Sequence, residues 1–489
     1  MKCGINWQHE QQTKPINDIT RWGLRLEEIE QLGSRLQDFY QRFRGYLRTR
    51  TRDTSEYGYK YLSGLLRMEN KRNMSNIGRK THVPEQNMQH FMSNSPWSGR
   101  ALIAAVQEEI KGHAEFQSGA MLVLDESADE KAGSHSAGAG RQYNGRLGKV
   151  DMSQVGVFLS LVTPRVNTWV DGELFIPAHW FEEDHASERQ KAGIPEDRAF
   201  QTKPELGWKM IQRVQEQGIP FEAVVMDDLY GRNTALRKHL NQAGIEYYGD
   251  IPANTLVYVE APEVRYSLTE DGEPSGKPEI VGGKRCKVRE LLHSPDLQWQ
   301  TITLRPNERG LLRAKFARRR VWLVIDHQVQ EEWLLIRKDA KRVTYILSNA
   351  SPDTPLKTMA WRKSHRYFGE RSNQDAKSEL GWDEFQALKY RAWEHQLALT
   401  ILAGWFIAET RLDWMNRYAQ DPDLLSQLEV DVLPQLSVSN VRELLRAVLP
   451  LPQLSSQEAA DLVVSHLLNR TRSRQSRLRR AKPKSPTEM

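Results

Sequence analysis

Apolar positions along the chain change their spacing three times, and each change marks a boundary. Up to residue 112 they recur every three or four positions, as in WGLRLEEIEQLGSRLQDFYQRFRGYLRTR and MQHFMSNSPWSGRALIAAVQEEI, with Gly and Pro between the runs. That period predicts amphipathic helices, here laced with Arg and aromatic residues, a composition suited to holding DNA. Near residue 119 the period vanishes. AMLVLDES is a continuous apolar run closed by carboxylates, as expected of a strand buried on both faces. VGVFLSLV and WVDGELFIP predict two further strands, KPELGWKMIQRVQEQG a helix closed by Gly218, FEAVVMDD another buried strand and NTALRKHLNQAG another helix. That order predicts an α/β fold with a sheet of mixed polarity. From about 256 to 350 short β-rich runs follow one another (TLVYVEA, WQTITLR, RVWLVID, EEWLLIR, RVTYILS), which predicts a β insertion. Beyond 360 the helical period returns through DEFQALKYRAWEHQLALTILAGWFIAETRLDWMNRYA. The expected division is 1–112 helical and DNA-binding, 113–255 the first part of the α/β core, 256–352 the β insertion, 353–410 the second part of the core, and 411–489 helical with a basic tail.

Composition narrows the setting. The 489 residues carry 69 Lys and Arg against 63 Asp and Glu, a net charge of +6, unevenly spread. NRTRSRQSRLRRAKPKSP holds eight of the cations between 470 and 484, either a solvated end or an arm for an acidic polymer. Cys3 and Cys286 are the two cysteines, and without a C-x-x-C they supply neither a disulfide framework nor a thiolate zinc site. The apolar run LALTILAGWFIA is too short to span a bilayer, and MKCGINWQHEQQ lacks the apolar region of a signal peptide. The expectation is a cytoplasmic protein with no membrane partner.

Candidate chemistry sits where the buried strands end. Asp125 closes MLVLD and Asp227 closes AVVMD, positions where a rigid strand can present carboxylate oxygens to a metal. Each alone is also an ordinary turn residue. In HRYFGERSNQDAKSELG, however, Arg366, Glu370 and Lys377 fall within ~40° of one another on one helix face. An i,i+4 surface ion pair accounts for Arg366 and Glu370 but for neither Lys377 nor the strand ends. Glu379 and Asp375 lie ~140–180° away from Glu370 and are poor substitutes. Two aspartates and one glutamate suit a pair of Mg²⁺ or Mn²⁺ ions, with Arg366 and Lys377 gripping phosphate. In KAGSHSAGAGRQYNGRLGK, Lys131, Arg141 and Lys149 stand among glycines that permit close approach to a DNA backbone, although a flexible hairpin explains them as well. It is no phosphate-binding P-loop, since Val150 follows Gly148–Lys149. Trp299 and Trp322, the latter near the RRR run containing Arg319, fit the core of a small β unit, or a DNA contact.

The chain resembles the DDE transposases of bacterial insertion sequences, of the insertion-sequence-four superfamily and the seven-hundred-and-one type. Arg366, Glu370 and Lys377 match R-x3-E-x6-K of the Y-x2-R-x3-E-x6-K signature, and VLDESADEKAGSHSAGAGRQYNGRLGKV, GELFIPAHWF, KAGIPEDRAFQTKPELGWKMI, VVMDDLYG and AKSELGWDEF occur in the family's order. The resemblance implies an RNase H-like catalytic core interrupted by a β insertion, with Asp125, Asp227 and Glu370 as the catalytic, metal-holding triad. Asp228 is then a neighbour, and Tyr230–Gly231 retains the family's Y-G. In related transposases an aromatic of the insertion stacks on a base flipped out near the cleavage site, a role open to Trp299 or Trp322. Lys363 stands where the signature has Tyr and remains a candidate phosphate contact. Gly369 precedes Glu370, and because glycine inside a helix costs roughly 1 kcal/mol the turn is expected to firm up only with metal or DNA. The implied activity is metal-dependent cleavage and strand transfer on double-stranded DNA, both element ends and target, by at least a dimer associated with the nucleoid. A nuclease of the same fold that does not join, and an inactive DNA-binding derivative, are the alternatives.

Overall fold

Three longer helices, α1 (Leu32–Phe43), α2 (Ser55–Arg67) and α3 (Gly99–Gly112), turn their apolar stripes inward and bury Leu36, Phe39, Tyr61, Leu65, Leu102 and Val106. The Ser98 side chain caps α3 by accepting from the Ala101 N–H. This computed structural model describes residues 14–475 apart from 146, 269–273, 308, 309, 341 and scattered positions beyond 452. Most of the basic tail therefore lies outside the described residues.

The strands come next: β1 (Met121–Glu130), β2 (Gly140–Asn144), β3 (Lys149–Val162), β4 (Asn167–Phe175), β5 (Ala223–Met226), β6 (Tyr247–Ile251), β7 (Leu256–Tyr258), β8 (Glu263–Leu268), β9 (Pro274–Val281), β10 (Arg285–Lys287), β11 (Gln300–Asn307), β12 (Gly310–Ile325), β13 (Gln328–Lys338) and β14 (Val343–Ser348). All but β8 and β9, which pair as a hairpin, join one mixed sheet in the order β10-β7-β12-β13-β14-β6-β5-β1-β3-β2, with β4 beside β3 and β11 beside β12. β1 is antiparallel to β3 but parallel to β5, which is parallel to β6. Because β1 lies inside the sheet, Met121 to Leu124 are buried without alternation.

Apart from the β8–β9 hairpin, the β-rich segment does not build a sheet of its own. β14 pairs with β6, so its strands extend the central sheet. The short run RVWLVID is the end of a 16-residue strand, β12. Helices α4 (Lys203–Glu216) and α5 (Thr234–Gln242) flank β5, and Thr202 with Glu205 forms a capping box that starts α4. After β14 come α6 (Leu356–Ser364), α7 (Arg366–Ser378), α8 (Tyr390–Arg417) and α9 (Val438–Val448). The run LALTILAGWFIA lies in α8, where it is buried, and α1 to α3, α8 and one side of the sheet share a single apolar core. Among the described residues no helix is long and apolar enough to cross a membrane.

Candidate active site

Leu124 of β1 lies beside Met226 of β5 in parallel register. β5 stops there, with Asp227 as the next residue, whereas β1 runs on to Glu130, so Asp125 lies within its strand and not at its end as the apolar run suggested; register sets the two acids side by side. Asp227 Oδ1 accepts from the N–H groups of Leu229 (2.9 Å) and Tyr230 (3.3 Å), capping the helical turn Asp228–Gly231. That turn lies flat on β6, because a Cβ on Gly231 would stand 2.0 Å from the carbonyl oxygen of Asp250. The Tyr230 hydroxyl and Lys203 both bind Glu126, at 3.2 and 2.8 Å, closing the other side.

Helix α7 crosses β1 at close range. A Cβ on Gly369 would come within 2.2 Å of Val123 Cγ1, so this glycine lets α7 lie directly on β1. One turn apart on that helix, Arg366 Nη1 and Glu370 Oε1 form an ion pair of 2.7 Å, and Arg366 Nε is 3.9 Å from Asp250 Oδ2. Asn373 donates to Asp125 Oδ2 (3.2 Å) and accepts from Trp169 Nε1 (2.9 Å). Burial raises the Asp125 pKa to about 7; Arg366 pulls it down, while Asp227 and Glu370 push it up. Asp227 is raised too, again chiefly by burial, with Arg366 opposing. For Arg366 burial works against the charge, but Glu370, Asp125, Asp250 and Asp227 outweigh it and its pKa is raised. One guanidinium thus serves four carboxylates.

The other residues singled out from the sequence are scattered. Lys377 donates to the Ala128 carbonyl (2.8 Å) and pairs with Asp129 (3.2 Å), tying the end of α7 to β1. Lys363 belongs to α6, which breaks from α7 at His365, so helical arithmetic does not carry from it to Arg366. It is buried, 3.0 Å from Asp250 and 3.4 Å from the Met226 carbonyl. Lys131 reaches the Phe385 carbonyl (3.3 Å), Arg141 is exposed on β2, and Lys149 pairs with Asp151 (2.8 Å). Trp299 packs against the apolar core under the β-rich segment, while half-buried Trp322 pairs across the sheet with Glu331 and Tyr258. Arg319 holds Asp296 and the Ser294 hydroxyl, both at 3.2 Å. No described contact joins Trp299, Trp322, Arg319, Arg141 or Lys149 to the carboxylates. Sequence reading missed Asn373, Glu126 and Asp250. Asn373 could have been found three residues after Glu370 on the same face, and Asp250 near the end of the strand-like YYGDI, the signal that marked Asp125 and Asp227.

Two half-buried acids, Asp125 within β1 and Asp227 just past the end of the parallel strand β5, lie beside a helix carrying a third, an arrangement suited to metal-assisted cleavage of phosphodiesters. Residues 38–311, more than half of the chain, match the family described as DDE superfamily endonuclease, and the chain belongs to that family. The matched stretch contains Asp125 and Asp227 and ends before Glu370. Over 158 residues the chain is 31% identical to a probable transposase for insertion sequence element IS701 from Microchaete diplosiphon, a stretch covering 30% of this chain and 36% of that protein. Endonucleases of the superfamily use divalent metal ions.

Among the described residues no three His, Cys, Asp or Glu side chains converge as a metal cluster, and Glu370 turns to Arg366 instead. The donors nevertheless fit a hard divalent cation. Asp125 and Asp227 offer carboxylate oxygens with too little positive charge around them, and the Glu370 side chain is 51% exposed and free to turn.

Proposed function

We propose that the chain is a DNA transposase that cuts strands at the ends of an insertion sequence and joins them to target DNA, with Asp125, Asp227 and Glu370 holding two Mg²⁺ or Mn²⁺ ions. The observation that carries this reading is the adjacency of Asp125 on β1 and Asp227 at the end of the parallel strand β5, with Arg366 and Glu370 of α7 within electrostatic reach. The strand order β4-β3-β1-β5-β6, antiparallel up to β1 and parallel beyond it, supports an RNase H-like core with residues 256–352 inserted before α6.

Bound there, divalent ions would supply positive charge that activates an attacking oxygen and steadies a leaving one. The chain's own groups hold the site. Asn373 fixes the Asp125 carboxylate, and the turn docked through Gly231 fixes Asp227. Lys377 anchors α7 beyond Asp125, and Arg366 places a cation where a phosphate would approach. Residues 1–112 and the basic tail hold the duplex. Two element ends brought together call for at least a dimer on DNA, acting in the cytoplasm at the nucleoid.

The test uses DNA carrying both flanks of the protein's own gene, with Mg²⁺, for the native chain, Asp227→Asn and Glu370→Gln. Cleaved and joined products that vanish in both variants are expected. Cleavage without joining would make the protein a nuclease. DNA retardation with no cleavage by any of the three would leave a DNA-binding protein and overturn the proposal.

A further inference from the structure

Asp250 belongs to none of the family motifs, yet it stands between two cations of the site. Its Oδ1 is 3.0 Å from Lys363 Nζ and its Oδ2 is 3.9 Å from Arg366 Nε. Lys363 is buried, and Asp250 is its ion-pair partner among the described residues. The Asp250 backbone is fixed as well, because Gly231 packs onto its carbonyl and onto Gly249 with no room for a Cβ. It is therefore an anion on a fixed backbone, facing Arg366 Nε while Nη1 holds Glu370.

This placement matters because of what Glu370 has to do under the function proposed above, on which the inference rests. Glu370 Oε1 is occupied by Arg366 Nη1 at 2.7 Å. A guanidinium and a divalent cation compete for the charge of one carboxylate, so Glu370 is the stronger ligand once it has released the arginine. The released guanidinium, confined in a partly buried site, needs another anion. We propose that Asp250 is a positioning residue that receives Arg366 when Glu370 turns to the metal, keeping the arginine's charge in the site and off the ligand. Arg366 then has two stations on one swing, Glu370 in the metal-free chain and Asp250 in the loaded one.

The experiment reads metal affinity rather than turnover. Mn²⁺ binding to the full chain without DNA is measured by calorimetry, and unfolding temperature is recorded in chelator. The background is Lys363→Met, which removes the buried cation so that changing Asp250 strands no lysine. Adding Asp250→Asn is expected to weaken Mn²⁺ binding about tenfold, because Arg366 then stays on Glu370. Adding Arg366→Gln as well is expected to restore it, a rescue that a purely structural role for Asp250 would not produce. The same comparison of Asp250→Asn with Asp250→Asn/Arg366→Gln in the native background repeats the test with Lys363 present. Lys363→Met/Asp227→Asn is the control. If it binds Mn²⁺ weakly while Asp250→Asn changes nothing, or causes a loss that Arg366→Gln does not restore, the Asp250 proposal alone is overturned. If Asp227→Asn leaves Mn²⁺ binding intact, the metal-site reading falls and the role of Asp250 with it.

Discussion

Two pairs of acids on one sheet receive opposite treatment. On β4, Asp171 and Glu173 are almost wholly buried, and Arg100, Arg198 and Arg213 close on them at 2.8 to 3.2 Å. Burial pushes the Glu173 pKa up, but the arginines win and hold it below its ordinary value. Asp125, midway along β1, and Asp227, just past β5, share Arg366 with Glu370 and with Asp250, which also holds Lys363, and both are raised. A buried acid with its full complement of cations holds the fold together. One left short of positive charge is unstable in its ionised form until a cation arrives, which is the condition of a metal ligand.

The contrast is sharpest in substitutions. Asp125→Asn should cut strand cleavage roughly 10³-fold or more in a gel assay with Mg²⁺, while the metal-free chain unfolds at the same urea concentration or a higher one, because an under-compensated charge has been removed. Glu173→Gln should do the reverse. It leaves Arg198 facing a neutral group, while Arg100 and Arg213 keep Asp171, and should cost about 3 kcal/mol in urea unfolding, with little loss of activity per folded molecule. Equal destabilisation by the two changes would erase the distinction.

A smaller effect tests the packing that brings the halves of the site together. Gly369→Ala should push α7 off β1 through Val123, costing about 1–3 kcal/mol and lowering cleavage. Val123→Ala in the same chain should restore part of both. If Gly369→Ala is harmless on its own, the close approach is not needed.

The contrast extends to pH. Asp125 has a folded pKa of about 7 against an ordinary 3.8, so the folded chain binds the extra proton. Its contribution is complete below about 4 and is lost as pH rises through 7, so metal-free stability should fall over that window. Glu173 is shifted downward, so its contribution is present above the ordinary glutamate pKa and lost as pH falls below it. Urea midpoints in chelator from pH 4 to 8 should flatten in Asp125→Asn, and the native slope should persist in Glu173→Gln at the neutral end.

Much of the fold was legible locally. The apolar runs around Asp125 and Asp227, the capped helix α4 and the buried helix α8 follow from patterns within a dozen or so residues, each with a physical cause in burial or capping. β2 was missed because a glycine-rich run carries too little pattern to rise above a turn, and β6 was passed over although YYGDI is no shorter than β5. The soft turn expected at Gly369 was inferred from helix propensity alone. The packing on Val123 gives that glycine a reason that propensity cannot show.

Residue patterns alone established the α/β class and the family resemblance and singled out Asp125 and Asp227, because each is written in a short stretch of chain. Which acids meet which cations was settled by folding. Asp125 and Asp227 lie about a hundred positions apart, as do Asp250 and Lys363. The pairing of β14 with β6 extends the sheet beyond Asp250, and the break at His365 turns Lys363 inward while leaving Arg366 at the carboxylates. The balance of charge in the site is a sum over such distant contacts, and no local period carries it.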